Sequence, residues 1–157
     1  MQNKEALKDV LNDLIKINND RIAGYERAIN EAKDLDVDLK ATFEGMIRES
    51  NQYKEELTAK VRQHGGTVAS GTTASGKIYR AWMDVKATFT GSDRKSILAA
   101  CEFGEDAAQR AYEAALSVDA DIDTDCRLLI EEQQRALKNS HDLIKKYRNA
   151  HEAVSGL

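Results

Sequence analysis

Two stretches share one spacing: Asn18-Asn-Asp-Arg-Ile-Ala-Gly-Tyr25-Glu-Arg-Ala28 and Glu105-Asp-Ala-Ala-Gln-Arg-Ala-Tyr112-Glu-Ala-Ala115. In each, a polar residue stands two helical turns before a tyrosine and an alanine follows one turn later, so all three share a helix face. Around the first copy, Leu7, Val10, Leu11, Leu14 and Ile17 recur at three- and four-residue steps, which predicts a helix from about Asn3 to Lys33. The acidic stretch Asp34 to Asp38 ends it, and Asp34 or Asp36 can cap a second helix that buries Leu39, Phe43, Met46, Ile47, Ser50, Tyr53, Leu57 and Val61. His64-Gly65-Gly66 closes that helix, with glycine where a left-handed turn is needed.

The second copy lies on a third helix, with Ser92 as its cap and Ile97, Cys101, Gly104, Ala108, Ala111, Tyr112 and Ala115 facing inward. Ser117 to Asp123 is the next turn. A fourth helix, from about Asp121 to His151, sets Cys126, Leu129, Ile130, Gln133, Leu137, His141, Ile144 and Tyr147 on or beside its inner face. Four amphipathic helices of similar length define an all-α four-helix bundle occupying residues 1–157 as one domain. Short links make helices one and two, and three and four, antiparallel pairs. The middle link, Gly65 to Gly91, holds 27 residues: a small polar loop to Gly76, then an apolar stripe of Ile78, Ala81, Trp82, Val85 and Phe89 that fits a short helix over 77–89. That length permits a crossover, giving up-down-down-up order; the rival is a simple up-and-down bundle with the short helix across one end.

Composition narrows the function classes. Lys+Arg at 23 against Asp+Glu at 27 leaves a net charge of −4 and no basic stripe for a phosphate backbone, so nucleic acid is not an expected partner. No apolar run approaches the ~20 residues of a membrane-spanning helix, and the start MQNKEALKDV has no signal-peptide core, which predicts a soluble, cytoplasmic protein. Cys101 and Cys126 sit on apolar faces without the short spacing of a ligand pair and read as buried small hydrophobes. Folding back at the turn near Asp119 leaves them out of register by ~16 Å, beyond disulfide reach. Phosphate-loop, dinucleotide-binding and His-Glu-x-x-His patterns are missing; Gly71 to Lys77 has the wrong spacing for a phosphate loop and no strand before it.

The informative anomaly is a polar layer. Asn18 and Arg21, Ser50 and Tyr53, Glu105, and Gln133 with Gln134 fall on inner faces near the helix midpoints, with His141 two turns further on. Burying such groups is costly unless they satisfy one another or bind something.

The pattern Glu105-x6-Tyr112-x2-Ala115 resembles the Glu-x6-Tyr-x2-Ala of ferritin and rubrerythrin helices, and Asn18-x6-Tyr25-x2-Ala28 suggests the internal duplication of ferritin-like folds. Over nearly its whole length, including NNDRIAGYERA, RAWMDVKATFTG and CEFGEDAAQRAY, the chain resembles an uncharacterised bacterial family of ferritin-like bundles carrying a domain of unknown function. That resemblance implies the fold and brings no established activity, though a role in stress tolerance is commonly presumed for such families.

A ferritin-like dimetal site needs one Glu from each of two helices and Glu-x-x-His from each of the others. Here the first Glu seat is Asn18, Ser50-x-x-Tyr53 replaces one Glu-x-x-His, and Lys138-x-x-His141 or Gln134-x-x-Leu137 replaces the other. Only Glu105 keeps its carboxylate. The leading expectation is therefore a non-enzymatic bundle without cofactor, in which Arg21 pairs with Glu105 while Asn18, Ser50, Tyr53 and Gln133 complete the network. The alternative is a remodelled iron or manganese site for oxygen or peroxide chemistry, built from Glu49, Glu102, Glu105 and His141. A third reading places a partner or small ligand near Tyr79, Trp82 and Phe89, which otherwise cap the bundle's end. His64 and His151 read as helix-terminus residues with no chemistry. A second apolar strip, Ile15, Ile22 and Ile29, lies off the main stripe and suggests a homodimer face or contact with the crossover helix.

Overall fold

The structure, a computed structural model, describes residues 4–31, 37–70, 94–117 and 122–155. They form four helices: α1 (Lys4–Glu31), α2 (Val37–Gln63), α3 (Arg94–Ser117) and α4 (Thr124–Ser155). The expected helix over 77–89 with Tyr79, Trp82 and Phe89, the Ser92 cap, and Asp34 and Asp36 lie outside the described residues.

The side-chain pairings fix the topology. Along α1, Asn18 and Arg21 meet Tyr112 and Glu105 of α3, so these two helices run in opposite directions. Arg21 bonds Ser50, and Tyr25, one turn on, packs against Phe43, so α1 and α2 are antiparallel too. Helices α2 and α3 are therefore parallel, which is up-down-down-up. A simple up-and-down bundle would have made α1 and α3 parallel. Contacts of α2 with α4 run from Glu56–Gln133 through Glu49–Ser140 to Thr42–Tyr147, again antiparallel.

The start of the crossover is visible. Helix α2 ends in a Schellman turn: Gly65 N–H donates to Arg62 O at 3.0 Å and Gly66 N–H to Val61 O at 2.9 Å, with Gly65 at φ 74°. A Cβ on Gly66 would lie 3.0 Å from Lys8 Cδ, so the glycine lets the turn close onto α1. Asn12 then clamps the chain, donating to Thr67 O at 2.9 Å and accepting from Ala69 N–H at 2.8 Å. Residues 66–69 thus run along α1 from Lys8 towards Ile15, the direction a crossover to a parallel α3 requires.

Leu7, Leu11, Leu14, Phe43, Leu39, Leu57, Leu98 and Ile130 are fully buried, each worth ~1.5–3 kcal/mol of transfer free energy. Cys101 and Cys126 are buried free thiols. Of the off-stripe residues, Ile15 is buried within the single chain and Ile22 and Ile29 are half-buried, so Ile15 is not part of a free face. No helix among the described residues is long and apolar enough to cross a membrane.

Candidate functional site

Halfway along the bundle, the apolar periodicity of α1 is interrupted by Asn18 and Arg21, which still point inward because the helix offers those positions no other side. Arg21 is among the largest fully buried side chains of the protein, 1% exposed. Its Nε donates to Glu105 Oε1 at 2.6 Å and its Nη2 to Glu105 Oε2 at 3.3 Å, a two-pronged pairing across α1 and α3. Nη1 donates to Ser50 Oγ at 2.7 Å and to Met46 O at 3.2 Å, while Nη2 also lies 2.9 Å from Glu49 Oε1. The guanidinium stands 5.4 Å from the centre of the Tyr25 ring. Burial opposes its charge, but the attraction of Glu105, and then of its other neighbours, outweighs that and holds the group protonated above its ordinary range.

A second chain of bonds joins this hub to α4. Asn18 Nδ2 donates to Tyr112 Oη at 2.9 Å, and Tyr112 O–H donates to Gln133 Oε1 at 2.7 Å. Gln133 Nε2 reaches Glu56 Oε1 at 3.1 Å. Ser140 O–H donates to Glu49 Oε1 at 3.0 Å, and Tyr53 lies beside the same carboxylate. Burial, with that carboxylate second, pushes the Tyr53 phenol well up from its ordinary value. The two copies of the repeated spacing interlock here: Tyr112 of the second touches Asn18 of the first, and Tyr25 of the first lies beside Glu105 of the second.

The four metal-ligand candidates are not brought together. Glu49 and Glu105 converge on Arg21. Glu102 pairs with Arg148, and His141 lies on the α3 side of α4, its Nε2 2.5 Å from Asp106 Oδ1 and its Nδ1 3.2 Å from Asp142 Oδ1. The physical reason is register. Gln133, Leu137, Ser140 and Ile144 take the buried positions of α4, leaving His141 one residue beyond, at the rim. What the structure does gather is Glu102, Asp106 and His141, with ligand atoms within 4.8 Å of one another, all half-buried. Asp106 was not among the residues singled out from sequence; its position one turn after Glu102 is the signal that was there to use.

The core seats do not fit a pair of divalent ions of the ferritin type. Such a pair needs bridging carboxylates and one imidazole per ion, whereas Asn18, Ser50, Tyr53, Gln133 and Leu137 supply neither, Glu49 and Glu105 already hold the Arg21 cation, and the third carboxylate of the layer, Glu56, accepts from Gln133.

The fold is that of a ferritin-like four-helix bundle. A mutant of Mycobacterium smegmatis Dps1 has the same fold, with a TM-score of 0.79 over 94% of this chain and 97% of that one at 13% identity. The family described as "Domain of unknown function (DUF2383)" matches residues 6–118, most of the chain, which therefore belongs to it. No curated protein matches the sequence.

Proposed function

We propose that this protein is a non-enzymatic ferritin-like bundle in which a fixed salt-bridge layer has replaced the dimetal centre. The observation that carries the reading is Arg21: a permanent cation, fully buried, held by Glu105, Glu49 and Ser50. A guanidinium in that position competes with any metal for the same carboxylates and cannot shed its proton to make way. The role then resides in the protein's surface or assembly, in the cytoplasm, and stress tolerance is the role the family resemblance suggests. Homodimerisation belongs to the same reading; among the described residues, Val37 on α2, Phe103 on α3 and Leu128 and Leu143 on α4 are the large apolar side chains exposed to it. Light scattering at micromolar concentration tests that part.

A second reading is favoured by the gathering of Glu102, Asp106 and His141 at the α3–α4 rim, a donor set suited to iron or manganese. Against it stands the engagement of Glu102 by Arg148.

Elemental analysis separates the two, on protein purified without tag or chelator and reloaded anaerobically with iron(II) and manganese(II). The first reading expects no stoichiometric iron or manganese. Metal lost in Glu105→Gln would overturn it in favour of a core site, and metal kept in Glu105→Gln but lost in His141→Ala would establish the rim site instead.

A further inference from the structure

At the far end of the bundle from α3's start, the turn closing α2 meets the first turn of α4. His64 follows α2, Asp123 precedes α4, and Cys126 is buried in α4's first turn. His64 Nε2 lies 3.7 Å from Cys126 Sγ and 3.8 Å from Asp123 Oδ1, and the three ligand atoms fall within 4.8 Å of one another. We infer that His64, Asp123 and Cys126 form a zinc site that ties the end of α2 to the start of α4.

The geometry discriminates between two uses of a Cys, His and Asp. A nucleophilic thiol needs its histidine to take the thiol proton at one ring nitrogen while the carboxylate orients the other. Here sulfur and carboxylate approach the same Nε2, so no relay can form. Three donors converging on a common point is instead what a cation requires. In a tetrahedral zinc site, with Zn–S about 2.3 Å and Zn–N and Zn–O about 2.0 Å, donor atoms stand roughly 3.3–3.6 Å apart. The separations of Nε2 from Sγ and from Oδ1, 3.7 and 3.8 Å, exceed that by a few tenths of an ångström, and Sγ and Oδ1 lie within 4.8 Å of each other. At 3.8 Å the Nε2–Oδ1 approach is too long for an N–H···O bond and is an ion-pair contact, while Nε2 and Sγ at 3.7 Å are within hydrogen-bond reach for sulfur.

The donor set names the metal. One thiol, one imidazole and one carboxylate suit borderline-soft, redox-inert zinc better than the hard ions that prefer all-oxygen sites. Solvent completes the coordination, since Asp123 is 42% exposed. Asp123 can serve without releasing its helix: it accepts the Cys126 backbone N–H as α4's cap, and a carboxylate has a second oxygen. Without metal a cysteine carries its proton on sulfur. Binding exchanges that proton for zinc, forming a thiolate–zinc bond and releasing H⁺ to solvent. The site is independent of the core layer, because α2 and α4 reach it by their ends.

The test uses the full chain and cobalt(II) as a spectroscopic substitute for zinc. Expected are a near-ultraviolet thiolate-to-cobalt charge-transfer band and visible ligand-field bands of a tetrahedral ion, saturating at one equivalent and bleached by zinc. His64→Ala, at a half-exposed position, and Cys126→Ala should each remove the charge-transfer band or weaken zinc binding by at least about tenfold, the smallest effect expected when even an outer partner of a ligand costs that much. Asp123→Asn keeps the cap and should weaken binding in the same direction. His141→Ala and Glu105→Gln should leave the bands unchanged, so loss of this site and failure of the core reading are told apart. Absence of the bands in the unaltered chain, or their survival in both His64→Ala and Cys126→Ala, overturns the assignment.

Discussion

Arg21 and Glu105 face each other across α1 and α3 with 1% of either side chain exposed, their two prongs matched nitrogen to oxygen. A pair this deep is costly to assemble, yet breaking it is costlier, because the survivor is a buried charge without its counterion. Arg21→Met should lower stability by about 3–5 kcal/mol. Arg21→Met with Glu105→Leu should recover most of that loss, since neither charge then remains stranded. Urea unfolding followed by circular dichroism gives both values; a loss below about 1 kcal/mol for Arg21→Met would show that water reaches the pair.

Tyr112 is the relay of the second bond chain. Its hydroxyl accepts from Asn18 and donates to Gln133, so Tyr112→Phe strips one partner from each while leaving the ring in place. The expected cost is about 1–3 kcal/mol, the penalty for buried polar atoms left unsatisfied. Tyr147→Phe is the control: its hydroxyl makes one 3.4 Å contact with Thr42 at a half-buried position, and the change should stay within about 0.5 kcal/mol. Equal effects from the two substitutions would contradict the account of the core.

Gly65 holds a left-handed backbone at φ 74°, and nothing lies within 4 Å of where a Cβ would be. The cost of Gly65→Ala is therefore conformational, about 1 kcal/mol, and should lower the melting temperature by roughly 2–4 °C. Gly65→Asn should lose less, because asparagine tolerates that region. If alanine and asparagine behaved alike, the turn would have another conformation.

The stripes along α1 to α4 were legible because burial follows a 3.6-residue period, and Leu7 to Ile17 or Leu39 to Val61 follow it closely. The height of the polar layer was legible for the same reason: Asn18, Ser50, Glu105 and Gln133 occupy apolar positions of the pattern. Partner choice was not. Glu49 sits about 100° round from Ser50 and reads as an edge charge, but its long stem carries the carboxylate inward to Arg21. His64 and Cys126 are 62 residues apart, and their meeting depends on how far α2 and α4 slide past each other. That register is set by packing along both helices and is written in no local motif.

The buried acids of the layer give the protein an alkaline limit. Burial, and after it the Glu105 carboxylate, pushes the Cys101 thiol well above its ordinary 9.0 and the Tyr25 phenol well above 10.0, and burial pushes Tyr112 up as well. A group whose folded pKa is raised contributes stability that is fully present below its unfolded pKa. As pH rises past that value the unfolded chain loses the proton and the folded one keeps it, so stability falls until the folded pKa is reached. Urea midpoints should therefore be level through neutral pH, begin to decline at about pH 9 as unfolded Cys101 and Cys126 ionise, and decline more steeply above about pH 10 when the tyrosines join. Cys101→Ala should remove part of the decline that begins at about pH 9, Cys126 supplying the rest, and leave the steeper part above about pH 10. Of the five tyrosines, Tyr25 and Tyr112 should ionise together with loss of helical ellipticity. Ionisation of Tyr25 or Tyr112 in the still-folded chain would show that the layer is open to water and that Arg21 and Glu105 are less enclosed than their contacts imply.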